Sequence, residues 1–132
     1  MNNEKDNVYD LVEDFYAHDE GWNTLLRQEY AEGFLRMEAW KGKKNSDLYR
    51  SWDNLTMLCL YLGSAETFLG DMNADDFIDC IAWCGRNISE FTPDYKNTQD
   101  FLETCDGLFK YLKGKNAISN DTVPATAAEI LL

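Results

Sequence analysis

SDLYRSWDNLTMLCLYLG, residues 46–63, carries Leu48, Trp52, Leu55, Cys59 and Leu62 at intervals of three and four, the spacing of one helical face. Tyr49, Thr56 and Leu60 widen that face. A helix so broadly apolar is expected to sit centrally, touched on more than one side. Ser46 or Asp47 is the expected cap and Gly63 the expected stop. The apolar block from Leu55 to Leu62 is interrupted by Thr56 and is far too short to span a membrane.

Towards the amino terminus, Val8, Leu11, Val12, Phe15 and Tyr16 predict a helix from about Glu4 to Ala17. The run His18-Asp19-Glu20-Gly21 breaks the pattern, with Gly21 suited to a left-handed turn. A second helix is expected from Asn23, its cap, to Trp40, with Leu26, Tyr30, Phe34, Met37 and Trp40 on one stripe. Gly33 either weakens its middle or admits a close neighbour. KGKKNS then reads as a flexible basic loop.

Towards the carboxyl terminus, Gly70 and Asn73 mark a turn, with Phe68 and Leu69 tucked under the domain. Asn73 is the expected cap of a fourth helix, whose first turn holds Asp75 and Asp76. Phe77, Ile81, Cys84 and Ile88 face inward there, flanked by Ile78 and Trp83. Thr92-Pro93 opens a fifth helix that buries Phe101, Leu102, Cys105, Leu108, Phe109 and Leu112 and ends at Gly114. Thr126 to Glu129 has the pattern of a capping box leading into Ile130-Leu131-Leu132. The expected architecture is all-α, a compact bundle of five or six helices forming a single domain over residues 1–132. The apolar ending leaves two readings: a short helix docked on the core, or the N-terminal part of a longer protein.

Composition narrows the function. Apolar residues make up 45% and aromatic residues 14%, too much for a disordered chain. Twenty-four acidic residues against twelve basic ones give a net charge of −12, which repels polyanions and opposes nucleic acid as a partner. The polar start MNNEKDNVYD has no secretory signal, so the four cysteines read as reduced thiols of a cytoplasmic protein.

No residue pattern meets the demands of a catalytic or metal site. Cys80 and Cys84 share a helical face, but the chain has one histidine and no CxxC knuckle, so the thiols read as core residues. Asp10, Asp14 and His18 recur every four residues, which is how the solvated side of an amphipathic helix looks. Asp71-Met72-Asn73-Ala74-Asp75 opens like a calcium loop, but Asp76 stands where glycine is needed and Ala82 where glutamate is. No G-x-S-x-G elbow or glycine-rich phosphate loop is present. Catalytic residues, metal ligands and a cofactor are therefore not assigned. Trp22 and Trp40, near helix ends, together with Lys41, Lys43 and Lys44, form the candidate interaction surface.

From Trp52 to Ile118, LTMLCLYL, MNADDFIDCIAWCGRN and FLETCDGLFKYLKGKNAIS follow the spacing of a known helical region. It resembles that of uncharacterised bacterial proteins that carry a SEC-C zinc motif elsewhere. The zinc motif is absent here, so the resemblance implies no metal ligands; it implies an accessory or adaptor role. TPDYKNTQDF and YLKGKNAIS also resemble the helix pair of phage-integrase arm domains. The expected function is a non-catalytic interaction or regulatory domain that binds another protein or a neighbouring domain. A DNA-associated regulatory or recombination accessory domain and a carboxylate-metal enzyme are the alternatives.

Overall fold

Seven α-helices occupy the residues described by the structure, a computed structural model covering 7–18 and 21–132. They are α1 (Val8–His18), α2 (Trp22–Leu25), α3 (Gln28–Trp40), α4 (Asn45–Ala65), α5 (Ala74–Asn87), α6 (Tyr95–Gly114) and α7 (Val123–Leu131). Among the described residues a 3₁₀ turn, Leu69–Asp71, joins α4 to α5, and no strand occurs. The all-α bundle read from the apolar spacing is the fold. Among the described residues, no helix is long and apolar enough to cross a membrane.

The broad apolar face of α4 explains its place. Leu48, Trp52, Leu55, Leu58, Cys59 and Leu62 are buried, and α1, α2, α3, α5 and α6 all pack against it. The core continues through Phe34 of α3, Phe77 of α5, and Phe101 and Phe109 of α6, all essentially inaccessible to water. Phe77 and Phe109 meet edge to face at 5.5 Å. Helix α7 lies across α5 and α6, burying Pro124 and Ala127.

Seven helices replace five or six because the expected second helix is broken. Leu26 adopts an extended conformation (φ −149°, ψ 115°), and so does Arg27. The buried Tyr16 hydroxyl donates to the Leu26 carbonyl at 2.6 Å, fixing the break. Asn23 still caps the longer piece from a distance: its Oδ1 accepts from the Gln28 amide at 2.8 Å.

Other boundaries moved for equally local reasons. Helix α4 starts after Lys44 without a side-chain cap, so Ser46 and Asp47 lie in its first turn. It passes through Gly63, where the Trp22 ring packs so closely that an added Cβ would sit 3.3 Å from it. The helix stops instead at Glu66 (φ 55°), whose amide donates to the Leu62 carbonyl. Asp94, not Pro93, begins α6: its carboxylate accepts from the Asn97 amide at 2.8 Å. Thr126 is inside α7, its hydroxyl donating to the Thr122 carbonyl, so the expected capping box does not form. Asn73 does cap α5, in a reciprocal box with Asp76. The expected start of α1 at Glu4 lies outside the described residues, as do Asp19 and Glu20 of the run expected to end it. Leu11 and Phe68, both expected inside, are 40% and 57% exposed, while Leu69 is buried.

Candidate functional site

The lysine loop follows from the end of α3. Trp40 is the last residue of that helix, beyond the reach of the core, and is 86% exposed. The other three indoles are packed. Trp52 is buried, Trp22 stacks on Phe15 at 5.0 Å, and Trp83 meets Tyr61 edge on. Trp22 is thus held away from Trp40 by its place on α2, against Gly63.

The three lysines beside Trp40 differ. Lys43 turns inward, its Nζ donating to Glu38 Oε2 at 2.9 Å and to Ser51 Oγ at 3.1 Å. That pair ties the loop to α4. The second Glu38 oxygen is buried with no hydrogen-bond partner among the described residues, so its charge depends on Lys43. Lys41 and Lys44 are exposed and form no ion pair among the described residues. They leave two open cations beside an open indole on a strongly acidic chain.

The thiols lie in the core. Cys59, Cys80, Cys84 and Cys105 are all buried and unpaired by disulfides. Burial pushes the Cys59 thiol up to about 12, against the stabilising influence of the Tyr16 hydroxyl on its charged form. A hydrogen bond with Cys84, then burial, hold Cys80 up, and burial alone dominates at Cys105. Thiolates, the reactive form, are suppressed at these three positions, while the hydrogen bond with Cys80 lowers the Cys84 thiol against the opposing effect of burial. On α1, Asp14 and His18 are exposed, and the histidine Nδ1 is engaged by the Asp14 carbonyl, not its carboxylate. Among the described residues no three of His, Cys, Asp and Glu converge closely enough to hold a metal ion.

A second feature escaped the sequence reading. Arg50, Asp53, Asn54 and Met57 form one stripe of α4, spaced three and four apart. They face Asn97 and Asp100 of α6 and the loop bearing Ile88, Glu90 and Phe91, enclosing a cleft of about 400 Å³. Asn54, only 5% exposed, is the keystone: its amide donates to Asp100 Oδ2 at 3.1 Å and to Thr104 Oγ1 at 3.0 Å. Arg50 lies 3.9 Å from Asp100 and 4.0 Å from Asp47, close enough for attraction but too far for a hydrogen bond. Partial desolvation raises the Asp53 carboxyl from its ordinary value, although the residue as a whole remains exposed. The signal of this cleft in the sequence was the polar Arg50-x-x-Asp53-Asn54 step beside the broad apolar face of α4.

Compared with models of known protein families, with curated proteins and with solved structures, the chain matches none.

Proposed function

We infer that the chain is a non-catalytic interaction domain that engages another protein, or a neighbouring domain, through the corner formed by Trp40, Lys41 and Lys44. The exposure of Trp40 carries this reading. An indole left 86% in water forgoes the packing against the core that the other three have, and tryptophan is the residue type most enriched where binding energy concentrates. The two open lysines define the partner's chemistry as an apolar pocket rimmed by carboxylates. Burial of all four thiols supports a binding role over a nucleophilic one.

The test places a photo-crosslinking residue at position 40 of the full chain, expressed in its native cells. Position 95 serves as control, since Tyr95 is also an exposed aromatic residue. A discrete adduct from position 40, missing from position 95 and lost on Lys41→Glu with Lys44→Glu, is expected. The same adducts from both positions, or none, overturn the reading.

A further inference from the structure

The cleft between α4 and α6 has a charge pattern that selects its ligand. Arg50 reaches no hydrogen-bond acceptor among the described residues, since its nearest carboxylates stand 3.9 and 4.0 Å away. Its donors are open to a ligand. Asp53 and Glu90 also line the cleft, and neither carboxylate has a hydrogen bond or ion pair among the described residues. Met57 and Phe91, each 8% exposed, and the partly buried Ile88 add apolar atoms to the lining.

Simple ions fit this lining poorly. A small anion is drawn to Arg50 but meets the carboxylates of Asp53, Glu90 and Asp100, within a chain of net charge −12. A simple cation is drawn to the acids but meets the guanidinium. A molecule carrying both charges can satisfy the guanidinium and the carboxylates at once, and a volume of about 400 Å³ is of the size that takes a small organic ligand. We propose that this cleft binds a free α-amino acid with an apolar side chain. Its carboxylate would be received by the Arg50 fork, its ammonium by Asp53 and Glu90, and its side chain by Met57, Ile88 and Phe91. Nothing in this depends on the Trp40 corner, which lies elsewhere on the chain.

The probes are L-phenylalanine and L-leucine, titrated calorimetrically into the full chain at low salt. Phenylalaninamide lacks the carboxylate, and N-acetylphenylalanine lacks the ammonium. Both amino acids are expected to bind with a Kd of about 1 mM or tighter, and each derivative about tenfold or more weaker. Arg50→Gln should abolish the discrimination against phenylalaninamide, and Asp53→Asn with Glu90→Gln the discrimination against N-acetylphenylalanine. These side chains lie at the surface, and circular dichroism verifies that each variant is folded. No binding of either amino acid at concentrations about twentyfold above that Kd overturns the proposal. So does binding that Arg50→Gln leaves unchanged, or phenylalaninamide binding more tightly than phenylalanine, the signature of a plain cation site.

Discussion

Asn54→Ala removes the two hydrogen bonds that tie α4 to α6 across the cleft. The bond to Thr104 joins two side chains that are each 5% exposed, so water does not readily replace it. Its loss costs about 1 kcal/mol, somewhat more because the Thr104 oxygen gives up its donor. The bond to Asp100 is charge-assisted, but that carboxylate is 34% exposed and can turn to solvent, which holds its share to about 1–1.5 kcal/mol. Together the substitution should destabilise the fold by about 2–3 kcal/mol. For a chain of 132 residues the unfolding entropy is about 0.3 kcal/mol/K, so Tm should fall by about 7–10 °C. Asn54→Asp is sharper. It sets a second carboxylate against Asp100, so its loss should exceed that of alanine at neutral pH and shrink towards acid as one of the pair takes up a proton. Thermal unfolding followed by far-ultraviolet circular dichroism over a pH series measures both. A fall below about 2 °C for alanine, or identical pH profiles for the two variants, would show that Asn54 does not bridge the helices.

Alkaline stability follows from the buried thiols. An ordinary thiol ionises near 9.0, while folded Cys59 keeps its proton to about 12. Between those values the unfolded chain holds fewer protons than the folded one, so stability present below pH 9.0 is lost as pH rises, at about 1.4 kcal/mol per unit for each such thiol. Cys105 adds in the same direction, whereas Cys80 and Cys84 shift oppositely within their hydrogen-bonded pair, and Cys59→Ala should flatten the decline; a Tm level from pH 9.0 to 12 would contradict this. Gly33→Ala drives a Cβ into the Tyr111 hydroxyl and should cost about 1–3 kcal/mol despite its better helix propensity, with Tyr111→Leu recovering most of the loss in a urea-unfolding cycle. Lys43→Ala strands Glu38 and should cost about 1–2 kcal/mol, whereas Lys44→Ala should stay within about 0.5 kcal/mol; equal effects would remove the distinction between the two lysines.

The helices were legible where apolar spacing and a cap agreed. Asn73 at the head of α5 shows this; in α6 the spacing alone sufficed, since the six residues it placed inside are all buried although Asp94 is the cap. The break at Leu26 was not legible, because helical periodicity runs straight through it. It is imposed by Tyr16, ten residues earlier, reaching the Leu26 carbonyl. Glycine misled at position 63 because its lack of a side chain serves the Trp22 ring, while Glu66 makes the left-handed turn. At position 33 the same property admits Tyr111, one of the two roles its place in mid-helix allowed. The cleft stayed hidden because its acids come from three separated stretches, in a chain with 24 of them. Only folding brings Asp53, Glu90 and Asp100 around Arg50. Lys43 looked like its neighbours in sequence, and what separates it is the inward turn onto Glu38 and Ser51.

Collisional quenching of tryptophan fluorescence, compared between the native chain and Trp40→Phe, asks whether one indole alone stands open to solvent. Trp40 is 86% exposed and the remaining three are packed, so the variant should lose the readily quenched, red-shifted emission and keep a blue-shifted, protected remainder. Equal quenching of the two proteins would mean that Trp40 is covered or that another indole is free, and the corner built on it would have no basis.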